Sequence, residues 1–401
     1  MIDLASPETY ANGIPHDVFR DLRANAPVSW QAETKGPGFW AVTRHADIVH
    51  VLRTPALFSS HRAGARLEDL PPEFLEKIRE NMMNSDPPHH TKLRKLTNHV
   101  FAPKRVGLLE ERVSAYVKTL VDNIIDRGAC DFATDVAGSL PLFVICEILG
   151  VPEQDRAHLY DLTNRMFASI SEDRVIAMKA SMAAANEMRA YASELAARRR
   201  TQTRTTPSEN LVDDLLEAEI DGEKLTDSQF QGFFMLLFNA GADTTRSVLC
   251  YGLDTLMRHP QALAQVQADP SMIAGAVEEM LRYETVVIQF RRTATQDTEL
   301  AGTKIKEGDK VVVFFPSANR DEALFANPDT FDITRSPNHH LAFGHGTHFC
   351  LGAPLARMEA NHLFRELLSR VHRIEPNGPM VTGKTNFVRS VHNLPIAFSR
   401  R

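Results

Sequence analysis

The sequence predicts a mainly α-helical protein with small β-sheets. Three observations carry that expectation. Most of the chain alternates apolar and polar residues at helical period. Only two short runs, 38–43 and 310–315, are rich in β-branched and aromatic residues. One stretch, 226–259, reads as a single helix and, at about 1.5 Å per residue, is long enough to cross the molecule.

Taken in order, helical periodicity covers residues 17–25, 90–101, 107–127 and 152–170. Residues 174–200 are Ala-rich and favour a helix; the basic run at 198–208 reads as a solvated loop whose charge is surface chemistry. Thr226 or Asp227 can cap the long helix and Pro260 marks its end. Residues 316–340, rich in Pro, Asn and Asp, form an irregular meander ahead of a glycine-rich loop. With no internal repeat and no linker, residues 1–401 are expected to form one unit.

Composition narrows the function. Hydrophobic residues make up 43% and charged residues 24%, a soluble globular balance. The 22 Phe against 6 Tyr and 2 Trp imply a dry apolar interior. A net charge of −6 argues against nucleic-acid binding. The opening residues carry no basic segment followed by an apolar one. The longest apolar stretch, 233–242, contains Asn239 and is too short to span a bilayer. Four scattered cysteines fit a reducing compartment. A cytoplasmic protein with no membrane partner is expected.

The most informative segment is Phe343-Gly344-His345-Gly346-Thr347-His348-Phe349-Cys350-Leu351-Gly352, which runs directly into a helical stretch. Its glycines allow positive φ and close approach of the backbone to a flat ligand. A cysteine at a helix N-terminus meets amide N–H groups and the positive dipole end, which favour a thiolate. Zinc would need paired Cys or Cys/His at fixed short spacings, and the His339, His340, His345, His348 cluster has no second cysteine or carboxylate beside it. A phosphate loop would end in Gly-Lys-Ser/Thr. A nucleophilic cysteine stays open, although no activating base is identifiable. Thiolate ligation of haem iron fits the loop best. Cys130, Cys146 and Cys250 read as small buried hydrophobes.

The long helix carries Asn239-Ala240-Gly241-Ala242-Asp243-Thr244-Thr245 at its centre. Gly, Asp and Thr lower helix propensity there, so either a kink with threonine hydroxyls bonded one turn back or a widened groove for dioxygen is expected. In the second case Asp243 and Thr244 relay protons. Glu279 and Arg282 stand at i and i+3 on one helix face; they form either a surface pair or a buried one that fixes the meander with Arg335 as third member. A haem also brings two propionates, which call for cations or donors; the candidates are His90, Arg94, Arg292 and His348.

Together these motifs resemble the cytochrome P-450 superfamily over nearly the whole chain. Residues 343–352 are similar to its haem-binding signature, 240–245 to its oxygen-activating helix motif, and 279–282 to its E-x-x-R motif, in the family's order. The resemblance implies a triangular helical prism with haem b between the long central helix and the cysteine-loop helix. Cys350 would be the iron ligand, Phe343 and Gly352 would belong to the cofactor loop, and His90, Arg94, Arg292 and His348 would hold the propionates. Asp243 and Thr244 would deliver protons for O–O cleavage in a monooxygenase acting on an unactivated C–H or C=C bond. A small, mainly apolar substrate, terpenoid- or steroid-like, would meet Leu236, Asn239, Ala240, Ile288, Gln289, Phe387 and Val388. Residues 60–83, including Phe74, would form a lid. Electrons would come from a separate ferredoxin and ferredoxin reductase docking on Lys92, Lys95, Lys104, Arg105 and Arg357. A hydrogen-peroxide-dependent peroxygenase, a non-catalytic haem-binding sensor and a carrier-protein-tethered substrate are the alternatives.

Overall fold

The computed structural model describes residues 2–34, 36–79, 81–98, 101, 103–167, 174–201 and 210–401. The predicted helices at 90–101 and 152–170 are found as His89–Asn98 and Glu153–Phe167. Their expected ends at 99–100 and 168–170, and most of the basic loop (202–208), lie outside the described residues.

The central helix, Asp227–Arg258, opens on a capping box. Thr226 Oγ1 accepts from Gln229 N at 3.2 Å, and Gln229 Oε1 accepts from Thr226 N at 3.0 Å. The helix runs unbroken through Gly241 and ends just before Pro260, so the expected weak centre does not interrupt it. Phe230, Phe233, Phe234 and Phe238 are buried along its first half, with the Phe234 and Phe238 rings 4.9 Å apart. Ser139–Leu149, apolar on all sides and almost wholly buried, packs against it. The helix Ile273–Tyr283 and the cysteine-loop helix Ala353–Arg370 meet it near Gly252. A Cβ there would stand 2.8 Å from Met280 Sδ and 3.3 Å from Phe364 Cζ, so the absent side chain lets the three helices close together.

A five-stranded mixed sheet lies to one side, in the order Val28–Gln31, Phe39–Val42, Lys310–Phe314, Gln289–Ala294, Phe58–Ser59. Lys310–Phe314 runs parallel to Phe39–Val42 (Val312 opposite Ala41) and antiparallel to Gln289–Ala294 (Val312 opposite Arg291). Its residues alternate between two cores, as a period of two requires. Val311 and Val313 join Val42, Ile48, Val51 and Phe58. Val312 and Phe314 join Leu4, Phe19, Phe39 and Ile288. The two β-rich runs seen in sequence are the neighbouring inner strands of this sheet. The strand at 310 stops one residue early, because Phe315–Ala318 coils into a helical turn.

Candidate active site

The cysteine loop is shaped by two left-handed glycines, Gly344 at φ 69° and Gly346 at φ 66°. A Cβ on Gly346 would run into the Leu52 carbonyl, so only glycine lets the loop seat against the helix His45–Arg53. Cys350 N donates to Phe343 O at 2.9 Å and closes the loop. Gly352 caps the helix Ala353–Arg370 that follows. Of the four cysteines only Cys350 is exposed. Burial pushes the Cys130 and Cys146 thiols up to about 12 and raises that of Cys250 further. Cys350 opens to solvent yet is closely ringed by protein, as a group on a cleft wall is. That enclosure raises its thiol above the ordinary range, against the pull of the Gly352 and Ala353 amides and the Arg94 and Arg357 charges. The expected helix-terminus donors are therefore in place, but in the protein alone desolvation outweighs them. A cation on the sulfur reverses that balance.

Four cationic or donor side chains converge beside the loop. The His90 and His348 rings lie 4.3 Å apart. Neither His90 ring nitrogen has a partner. Arg94 Nη1 donates to Thr347 O at 3.3 Å. Arg292 is buried and donates to Arg291 O at 2.8 Å. Burial lowers its guanidinium to about 10, with Asp86 the one acid that counters the shift. Asp86 is already taken by Ser59 Oγ at 2.5 Å and Ser60 N at 2.8 Å. Burial, then the charges of Arg292, His90 and Arg94, push His348 down to about 2; burial, then Arg94, push His90 down to about 4. The cluster is thus electrostatically complementary to an anion.

On the central helix, Asn239 and Ala240 are exposed although they lie at the middle of an otherwise buried element. Thr244 Oγ1 donates to Ala240 O, one turn back, at 2.5 Å. Asp243 is buried and its Oδ1 accepts from Arg246 Nη2 at 2.5 Å.

Behind the loop, Glu279 and Arg282 are fully buried and joined by two hydrogen bonds. Arg282 also donates to Asn319 O, Pro328 O and Thr330 O, which engages all its N–H groups. Arg335 Nε lies 3.2 Å from Glu279 Oε2 and its Nη atoms reach Ala326 O, Asn327 O and Thr330 O. The three residues thus tie the helix to the meander at 319–335.

Of the residues expected to face a substrate, Asn239 and Ala240 are exposed, and Leu236, Phe387 and Val388 are half-buried. Ile288 and Gln289 are buried. Ile288 sits in the core with Leu4, Phe19, Phe39 and Phe314, and Gln289 is buried in the sheet opposite Phe314, its Oε1 without a partner. Two further residues contact this set. Val287 is half-buried and bridged to Val388, and the Phe290 ring stands edge-on to Phe387 at 5.4 Å. Phe74 of the lid segment is exposed.

The basic docking set is largely spent on internal pairs. Lys92 binds Asp221 at 2.7 Å, Arg357 binds Glu278 at 2.6 Å and stacks over Phe343 at 4.5 Å, and Arg105 also has a partner. Lys95 and Lys104 remain exposed. Among the described residues, no helix is long and apolar enough to cross a membrane.

The family model described as Cytochrome P450 matches residues 8–380. A steroid C26-monooxygenase of Rhodococcus jostii (strain RHA1) is 37% identical over 94% of this chain and 80% of its own length. A methyl-branched lipid omega-hydroxylase of Mycobacterium bovis is 36% identical over 99% of this chain and 95% of its own. The solved structure of Mycobacterium marinum cytochrome P450 CYP268A2 in complex with pseudoionone superposes with a TM-score of 0.90 at 37% identity, covering 99% of this chain and 98% of that one.

Proposed function

The chain belongs to the cytochrome P450 family of haem monooxygenases, and from that premise we propose that it hydroxylates or epoxidises a mainly apolar molecule of terpenoid, steroid or lipid type. O₂ is the co-substrate, and electrons come in the cytoplasm from a separate ferredoxin and ferredoxin reductase. The cofactor is haem b. Cys350 Sγ would ligate its iron, Phe343 and Gly352 would shape the cysteine loop, and Arg94, Arg292, His90 and His348 would take its two propionates. The observation that carries this reading is the cluster at Arg292 and His90. A buried guanidinium whose nearest acid is already committed, beside an imidazole with both nitrogens unpartnered, fits a ligand bearing carboxylates.

Haem held through a thiolate supplies the activation and cleavage of dioxygen. The chain supplies the rest. The Gly352 and Ala353 amides steady the sulfur. Thr244 Oγ1, anchored on Ala240 O, would give its proton at the cleft wall, and Asp243, on leaving Arg246 and taking a proton from solvent, would resupply it. Leu236, Ala240, Val287, Phe290, Phe387 and Val388 exclude water and align the substrate, with Asn239 as its polar contact. Glu279, Arg282 and Arg335 hold the meander that sets the loop. Lys95 and Lys104 offer the remaining positive surface for an acidic ferredoxin.

The deciding measurement is the absorption spectrum of the reduced protein under carbon monoxide. The thiolate-shifted Soret band is expected, lost in Cys350→His. An unshifted band in the unaltered protein overturns the assignment of Cys350.

A further inference from the structure

We propose that Arg66 is a specificity-determining residue that receives the carboxylate of an elongated apolar acid, so that oxidation falls on carbons remote from the acid group; the location of the reacting end rests on the monooxygenase reading above.

Residues 64–69 run beside the strand Gln289–Ala294 and are fastened on both sides. Arg291 N donates to Ala65 O at 2.9 Å, Arg291 Nη1 donates to Leu67 O at 3.2 Å and to Asp69 Oδ1 at 2.7 Å, and Ala65 N donates to Asn84 Oδ1 at 3.0 Å. Ala65 and Leu67 are buried, whereas the Arg66 side chain between them is 55% exposed. The two anchors fix the backbone that carries the Arg66 guanidinium. It lies over the Phe387 ring, 4.8 Å from the centroid.

The other arginines of the lid segment are committed. Arg62 binds Ala294 O, Thr295 O and Glu307, and Arg79 binds His61 O and Arg62 O. Among the described residues the one charged partner of Arg66 is Glu68, at 3.5 Å and itself half exposed. That is long for a charge-assisted hydrogen bond and contributes little in water. The donor fork of Arg66 is available to a planar carboxylate.

The direction of approach follows from the rings. Phe387 stands edge-on to Phe290 at 5.4 Å, and Arg292 lies 6.0 Å from the Phe290 centroid. Two half-buried rings therefore form an apolar strip between buried Arg292 of the cationic cluster and the exposed Arg66 at the outer end. A ligand with an apolar body and a carboxylate at one end matches that order. A neutral analogue gains the strip but not the cation.

The test is titration of the purified holoprotein with dodecanoic acid, dodecanol and methyl dodecanoate, followed by spin-state shift and by calorimetry at low and high salt. We expect the acid to bind about five- to tenfold more tightly than either neutral compound at low ionic strength, with the gap closing as salt screens it. Arg66→Gln removes the gap and leaves neutral binding unchanged; Arg66→Lys retains part of it. Glu68→Gln, which removes the competing carboxylate, widens it. No acid preference in the unaltered protein, or one that survives Arg66→Gln, overturns the proposal. The carbon monoxide spectrum of each variant separates the two readings. A missing thiolate band sinks the cofactor assignment, whereas an intact band with an unmoved preference sinks only the role of Arg66.

Discussion

Glu279 and Arg282, one helix turn apart, exchange two hydrogen bonds, Nε to Oε2 at 2.8 Å and Nη2 to Oε1 at 2.7 Å, with neither side chain reaching solvent. Glu279 also accepts from Asp332 N at 2.9 Å and from Asn338 Nδ2 at 3.1 Å. Removing one partner of such a pair leaves an unanswered buried charge. Glu279→Ala is expected to cost about 3–5 kcal/mol in urea unfolding. A loss below about 1 kcal/mol, typical of a surface pair, would show that the meander is held by other contacts.

Arg292 presents the opposite case, a buried cation with no free acid to answer it. Arg292→Met is expected to leave the haem-free protein at least as stable. The same change should speed haem loss to an acceptor protein by about tenfold or more, because a charge-assisted bond to the cofactor is gone. Unchanged haem retention would remove Arg292 from the propionate set.

Thr244→Ala should preserve the fold, since alanine favours the helix and only the bond to Ala240 O is lost. Product formed per electron consumed is expected to fall steeply, with the electrons recovered as hydrogen peroxide. Removal of a positioned proton donor typically costs about 10²–10⁴-fold. Full coupling in the variant would place proton delivery elsewhere.

Glu359, on the cysteine-loop helix, is buried and its Oε2 has no partner. Desolvation pushes its carboxyl from 4.5 up to about 8. The unfolded chain releases this proton near pH 4.5 and the folded protein near 8, so across that window the folded state holds the extra proton. Stability tied to this group is therefore present at low pH and declines as pH rises. Glu359→Gln should flatten the decline, with a gain over the unaltered protein on the order of 4 kcal/mol by pH 8. Parallel stability–pH curves for the two proteins would show that Glu359 titrates normally.

Features with local causes were legible in the chain. The capping box at Thr226 and Gln229, the stop at Pro260, and the glycines that shape the loop around Cys350 are encoded within a few residues of where they act. The E-x-x-R spacing likewise placed Glu279 and Arg282 on one helix face. The long helix follows its periodicity and is continuous through its centre, because burial of the flanking phenylalanines outweighs the modest propensity cost of Gly241 and Thr244.

The sequence by itself determined the helical architecture, the loop cysteine as the residue of interest, and the set of side chains that could serve a haem. Only the tertiary structure decided which of those side chains meet. Val287 is bridged to Val388 and half-buried, whereas Ile288 packs in the core with Phe314. Lys92 and Arg357 are spent on Asp221 and Glu278, partners 129 and 79 residues away. Arg292 and His90 acquire their unanswered charge and unpartnered nitrogens from burial, which no local pattern states. Hydrogen bonds within a turn depend on neighbours in the chain. Desolvation, facing and ion pairing depend on neighbours in space, and those exist only once the chain has folded.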